Sequence, residues 1–153
     1  MSLKKLSKKV KKQRNKNPFI LSIYTMKSRK VHNIIYWIAT IWLALGMVST
    51  GIVQITHMQA EVDLMAHLGY PVYFITIIGI WKLLGSIAVL IPKFPLVKEW
   101  AYAGFFFTMS GALISHLAVG DPIVEIFPSI LLLILIIVSW YFRPASRKTE
   151  TGV

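Results

Sequence analysis

The stretch VYFITIIGIWKLLGSIAVLI, Val72–Ile91, is twenty residues long and carries one charge, Lys82, close to its centre. As a helix rising 1.5 Å per residue, it matches a hydrocarbon core of about 30 Å. A lysine at that depth costs about 2.5–3.5 kcal/mol on insertion scales. Its strongly apolar companions, six Ile, three Leu, two Val and one Phe, offset this at about 0.3–0.6 kcal/mol each. Insertion therefore demands no function of Lys82. Three readings stay open: a functional group in a polar interior, a structural partner of Glu125, or a side chain snorkelling on the lipid side.

Three more runs of similar character lie on either side: Ile34–Val53, Trp100–Leu117 and Ile123–Phe142. The chain of 153 residues is 56% hydrophobic and 15% charged, too apolar for the surface of a soluble domain. Lipid offers no partner to backbone N–H and C=O groups, and these runs are too uniformly apolar for barrel strands. The expected fold class is all-α, a four-transmembrane-helix bundle over residues 31–144, with the lipid bilayer as its first partner.

Charge is distributed unevenly. Eleven of the seventeen Lys and Arg residues precede Val31, and the remaining six balance the six acids. Residues 1–30 read as a disordered polybasic tail lying against anionic lipid, and 145–153 as a second tail. MKSRK, from Met26, reads as an alternative start. No nucleic-acid-binding motif accompanies the basic tail, so nucleic acid is not an expected partner. Lys93 and Lys98 fall in the second connector, and Arg143, Arg147 and Lys148 after the last span, whereas residues 54–71 and 118–122 have no Lys or Arg. By the positive-inside rule both termini face the cytoplasm, as in a multi-pass protein of a cell membrane. Tyr70 and Tyr73 mark the outer interface; Trp100, Tyr102, Trp140 and Tyr141 mark the inner one. With no cysteine, the chain supplies no disulfide or thiolate chemistry.

Helices associate in lipid through small residues and interhelical hydrogen bonds. Gly46, Thr50, Gln54 and His57 share a face of the first span; Gly79, Lys82, Gly85 and Ser86 share one of the second. Gly104, Thr108, Gly111 and Ser115 line the third, with Ala112 and His116 adjacent. Counted along the helices, His116 and Glu125 lie on the order of 10 Å outward of Lys82, and the lysine side chain leans that way. An outward-facing polar pocket is expected, with Lys82 at its floor and His116, Glu125, Gln54 and His57 around it. Thr50, Thr108 and Ser115 complete the set. Asp121 reads as an N-cap with Pro122 at the first helical position, placing Glu125 where the helix dipole favours an acid. No pair of histidines on one helix makes a metal site, no HExxH, GxSxG, CxxC or phosphate-binding loop occurs, and no metal is expected.

In order and spacing, GYPVYFITIIGIWKLLGSIAVLIP, KEWAYAGFFFTMSGALISH, GDP and SWYFRP resemble the DoxX-like integral membrane proteins over Met26 to Pro144. The resemblance implies a small four-helix protein of the bacterial cytoplasmic membrane. The family name connects it to a membrane subunit of a thiosulfate:quinone oxidoreductase, which implies a quinone as cofactor and a membrane redox partner protein. A better-known branch has ELLGG where this chain has KLLGS, so Lys82 inverts the charge of the pocket and thiosulfate chemistry is not carried over. The leading expectation is a pocket around Lys82 for a small polar or quinone-like molecule. A non-enzymatic scaffold or assembly factor is the alternative, and small-solute transport by a homo-oligomer is a third. Whether the chain is an enzyme is left open.

Overall fold

The computed structural model describes residues 18–149; the polybasic segment before Pro18 and the last four residues of the C-terminal tail lie outside them. Among the described residues five α-helices run in order: α1 Pro18–Ile55, α2 Gln59–His67, α3 Val72–Leu90, α4 Pro95–Val119 and α5 Ile123–Tyr141. A short 3-10 turn, Ala145–Arg147, follows. There is no strand among the described residues, and α1, α3, α4 and α5 are each long and apolar enough to cross a membrane. The all-α, four-span expectation holds. Residues 18–30, assigned to the tail from sequence, instead extend the first helix.

Helix ends follow from local chemistry. α3 stops at Leu90 because Pro92 follows at once, and Pro95 opens α4 where its missing N–H costs nothing. Gly120 closes α4 in the left-handed region at φ 79°, the conformation that glycine adopts without strain.

The long helices form a ring in which α1 meets α3 and α5, and α4 meets the same two. Apolar residues such as Trp42, Trp81, Phe107 and Ile134 face outward, as a lipid-facing surface requires. The close approach is at α1 and α3. A Cβ built on Gly79 would stand 2.9 Å from the Gly51 carbonyl oxygen, and one on Gly51 would be 3.1 Å from that of Gly79. Gly85 likewise accommodates the Phe105 ring. The small-residue face of the third span does not follow suit: Gly104 and Gly111 have nothing within 4 Å of a built Cβ.

One end of the bundle carries Lys93, Lys98, Arg143, Arg147 and Lys148; the other carries Glu61, Asp63, Asp121 and Glu125. The core, Leu43, Met47, Val89, Tyr102, Phe105, Met109 and Ile136, fills the middle and the basic half. Tyr102, expected in the aromatic belt, is buried. Its hydroxyl meets Ser139 Oγ at 2.7 Å, and Ser139 Oγ meets Thr40 Oγ1 at 2.6 Å, tying α4, α5 and α1 together. Lys98 is fully buried and caps α3, donating to the carbonyls of Ala88 at 2.7 Å, Val89 at 3.2 Å and Ile91. Arg143 pairs with Glu99. The basic half is thus tied together by buried polar bonds, and the acidic half is hollow.

Candidate functional site

The hollow is a cavity of about 810 Å³ bounded by all five helices, with Lys82, Thr50, Gln54, His116 and Glu125 on its wall. Lys82 is 5% exposed, so it does not snorkel into lipid. Its position follows from the glycine contact: Gly79 lies one turn before Lys82 on α3, and Gly51 lies next to Thr50 on α1. The pinched backbones bring Lys82 Nζ to 3.2 Å from Thr50 Oγ1, to which it donates. The Thr50 hydroxyl in turn donates to the Gly46 carbonyl at 2.9 Å.

No ion pair joins Lys82 to Glu125; among the described residues Glu99 and Asp121 are the acids in ion pairs, and neither meets Lys82. Glu61, in α2, shares the cavity wall with Lys82 but does not pair with it. Glu61 is held in place by Gln54, whose Nε2 donates to Glu61 Oε2 at 3.2 Å. Gln54 Oε1 is buried without a partner. An ammonium has three donors, and Lys82 has an acceptor for one of them. Its charge therefore faces a cavity large enough for a ligand.

Three candidates lie elsewhere. His57 Nε2 meets Thr76 Oγ1 at 2.7 Å, outside the cavity, at a residue with φ 50° where α1 gives way to the connector. Ser115 Oγ is bonded to Tyr70 OH at 2.7 Å and to the Gly111 carbonyl at 2.9 Å. Thr108 borders a smaller recess of about 300 Å³ between α3 and α4, whose wall it shares with Lys82 and Gln54.

Sequence reasoning missed Glu61, Asp63 and His67, which α2 brings to the cavity wall, and misjudged Asp121. Asp121 does not cap α5. The N-cap position is Pro122, with no side-chain cap bond, while Glu125 does occupy the first turn. The Asp121 carboxylate instead lies between two imidazoles: His116 Nδ1 at 2.6 Å from Oδ2 and His67 Nε2 at 2.8 Å from Oδ1. The bond from His116, then that from His67, holds its pKa below the ordinary value, because both stabilise the charged form. Expected neighbours His116 and Glu125 do come together, with Asp121 between them: one ligand-type atom of each lies within 4.8 Å of the other two.

Residues 38–138 match the sequence profile of the DoxX-like family. No curated protein and no solved structure matches the chain.

Proposed function

The chain belongs to the DoxX-like family, and from that premise we propose that it is a membrane component binding a small oxygen-bearing molecule, quinone-like or anionic, at Lys82. The observation that carries this reading is a buried ammonium with one hydrogen-bond partner and no ion pair on the wall of an 810 Å³ cavity. A carbonyl or anionic oxygen of a ligand supplies the acceptor that the protein does not. The chain has no cysteine, so in a redox system no thiol of this chain carries the electrons. With both termini in the cytoplasm, the cavity opens outward.

A scaffold would dock partners through the polybasic tail and the terminal arginines. Of the two terminal arginines, Arg143 is buried and engaged with Glu99, which favours the ligand reading. Native mass spectrometry of the protein released from its own membrane tests it. Wild type should carry a small molecule that Lys82→Met loses; bare protein in both would overturn the reading in favour of a scaffold.

A further inference from the structure

The α4–α5 turn gathers three side chains with metal-ligand chemistry from three local settings. His116 lies in the last turn of α4, Asp121 directly follows the left-handed Gly120, and Glu125 lies in the first turn of α5. The turn at Gly120 folds these positions onto one another, so that one ligand-type atom from each falls within 4.8 Å of the others. Glu125 is exposed and its side chain makes no hydrogen bond among the described residues. It is free to swing inward until all three atoms can reach one cation at bonds of roughly 2 Å. Asp121 is already oriented, since His67 holds its second oxygen at 2.8 Å, the kind of outer support that metal-ligating carboxylates receive.

We propose that His116, Asp121 and Glu125 bind a divalent first-row transition-metal cation on the wall of the large cavity. Two observations beyond the cluster point the same way. The cavity wall carries Glu61 and Asp63 as well as Asp121 and Glu125, against the single ammonium of Lys82, so its field favours a cation near the turn. Gln54, 4% exposed, shares that wall, and its Oε1 has no donor; a metal-bound water is one. One imidazole with two carboxylates suits zinc, manganese or iron, whereas calcium and magnesium prefer oxygen ligands throughout. This site goes beyond the ligand reading and does not depend on Lys82.

Zinc is the probe. Full-length protein in detergent is stripped with chelator, freed of it, and titrated with Zn²⁺ by calorimetry, with metal content measured after gel filtration. Wild type should retain one Zn²⁺ per chain, and Lys82→Met should do the same. Glu125→Gln keeps the fold, because its side chain holds nothing in place, and should weaken binding at least about tenfold. Wild type without stoichiometric zinc, Glu125→Gln binding as wild type does, or Ca²⁺ binding as tightly as Zn²⁺ would each overturn the proposal. Zinc bound by wild type that never carries a small molecule would sink the Lys82 reading and leave this one standing.

Discussion

Lys82 Nζ donates to Thr50 Oγ1 at 3.2 Å across the α1–α3 interface, one turn from the point where the Gly51 and Gly79 backbones touch. The lysine reaches the cavity because two glycines let its helix close on α1. Gly79→Ala should therefore perturb the site as well as the packing: its Cβ would fall 2.8 Å from Ile55 Cγ1 and 2.9 Å from the Gly51 oxygen. Overpacking of this kind costs about 1–3 kcal/mol. Gly104→Ala meets nothing within 4 Å and should be neutral or gain up to about 1 kcal/mol from helix propensity. Melting temperatures of the two variants in one detergent distinguish a specific contact from a general intolerance of alanine.

Removing the charge itself should cost little stability. In Lys82→Met the Thr50 hydroxyl keeps its bond to the Gly46 carbonyl, so no hydroxyl is orphaned, and a methionine fills much of the same volume. A change within about 1 kcal/mol is expected, since apolar replacement of buried charge is often neutral or favourable. Reversible unfolding in mixed micelles measures it. A loss of several kcal/mol would make Lys82 a structural element.

Ser139 joins three helices, and its neighbours are unequally dependent on it. Thr40 has a second partner, the Tyr36 carbonyl at 2.6 Å, whereas Tyr102 OH bonds Ser139 alone among the described residues. Ser139→Ala should cost roughly 1 kcal/mol, near the upper part of the range for interhelical bonds in membranes. Tyr102→Phe should cost less, because Ser139 keeps Thr40. Combined, the two substitutions should be less than additive, a result read directly from a double-mutant cycle.

Lys98 illustrates what a charge count conceals. From sequence it is a loop cation that helps set orientation; in the fold it lies within α4, fully buried, and ends α3 by donating to two of its carbonyl oxygens and to that of Ile91, which follows it. Lys98→Met leaves the Ala88 carbonyl without that donor, while Arg147 still reaches those of Val89 and Leu90 at 3.1 Å and 3.3 Å. A loss of about 1.5–3 kcal/mol is expected, the range for bonds to a charged donor. Circular dichroism during thermal unfolding in detergent would show it, and a wild-type melt for Lys98→Met would remove Lys98 as the cap.

Hydropathy made the four spans legible because lipid leaves a long apolar run few alternatives to a helix. It placed Lys82, Gln54, Thr50, His116 and Glu125 around one cavity because the small-residue faces of α1 and α3 do meet. It failed where the deciding partner lies far along the chain. His67 lies 54 positions from Asp121, and nothing near GDP announces that its aspartate will turn toward histidines and away from the α5 N-terminus. From sequence α2 reads as a connector for a related reason: QAEVDLMAH has no buried residue, so no apolar stripe advertises it. Metal-ligand spacing within a single helix does not reveal the His116, Asp121 and Glu125 group, which is assembled across a glycine turn.

The two imidazoles on Asp121 give α2 its anchor. With no buried residue of its own, α2 is held at its end by His67 Nε2 at 2.8 Å from Asp121 Oδ1, and at its start by Gln54 on Glu61. Asp121→Ala removes the first tether and leaves the second. With the His67 ring half exposed, this tether is a modest one; local opening of residues 59–67 should become a few-fold more frequent, while α1, α3, α4 and α5 stay protected. Hydrogen–deuterium exchange of chelator-treated protein in nanodiscs reads both regions at once. Unchanged exchange in α2 would mean that packing on α3, which α2 also contacts, holds it without the histidine. Faster exchange throughout would mean that the Asp121 cluster supports the whole bundle, and that the floor formed by Lys82 and the wall formed by α2 are one cooperative unit.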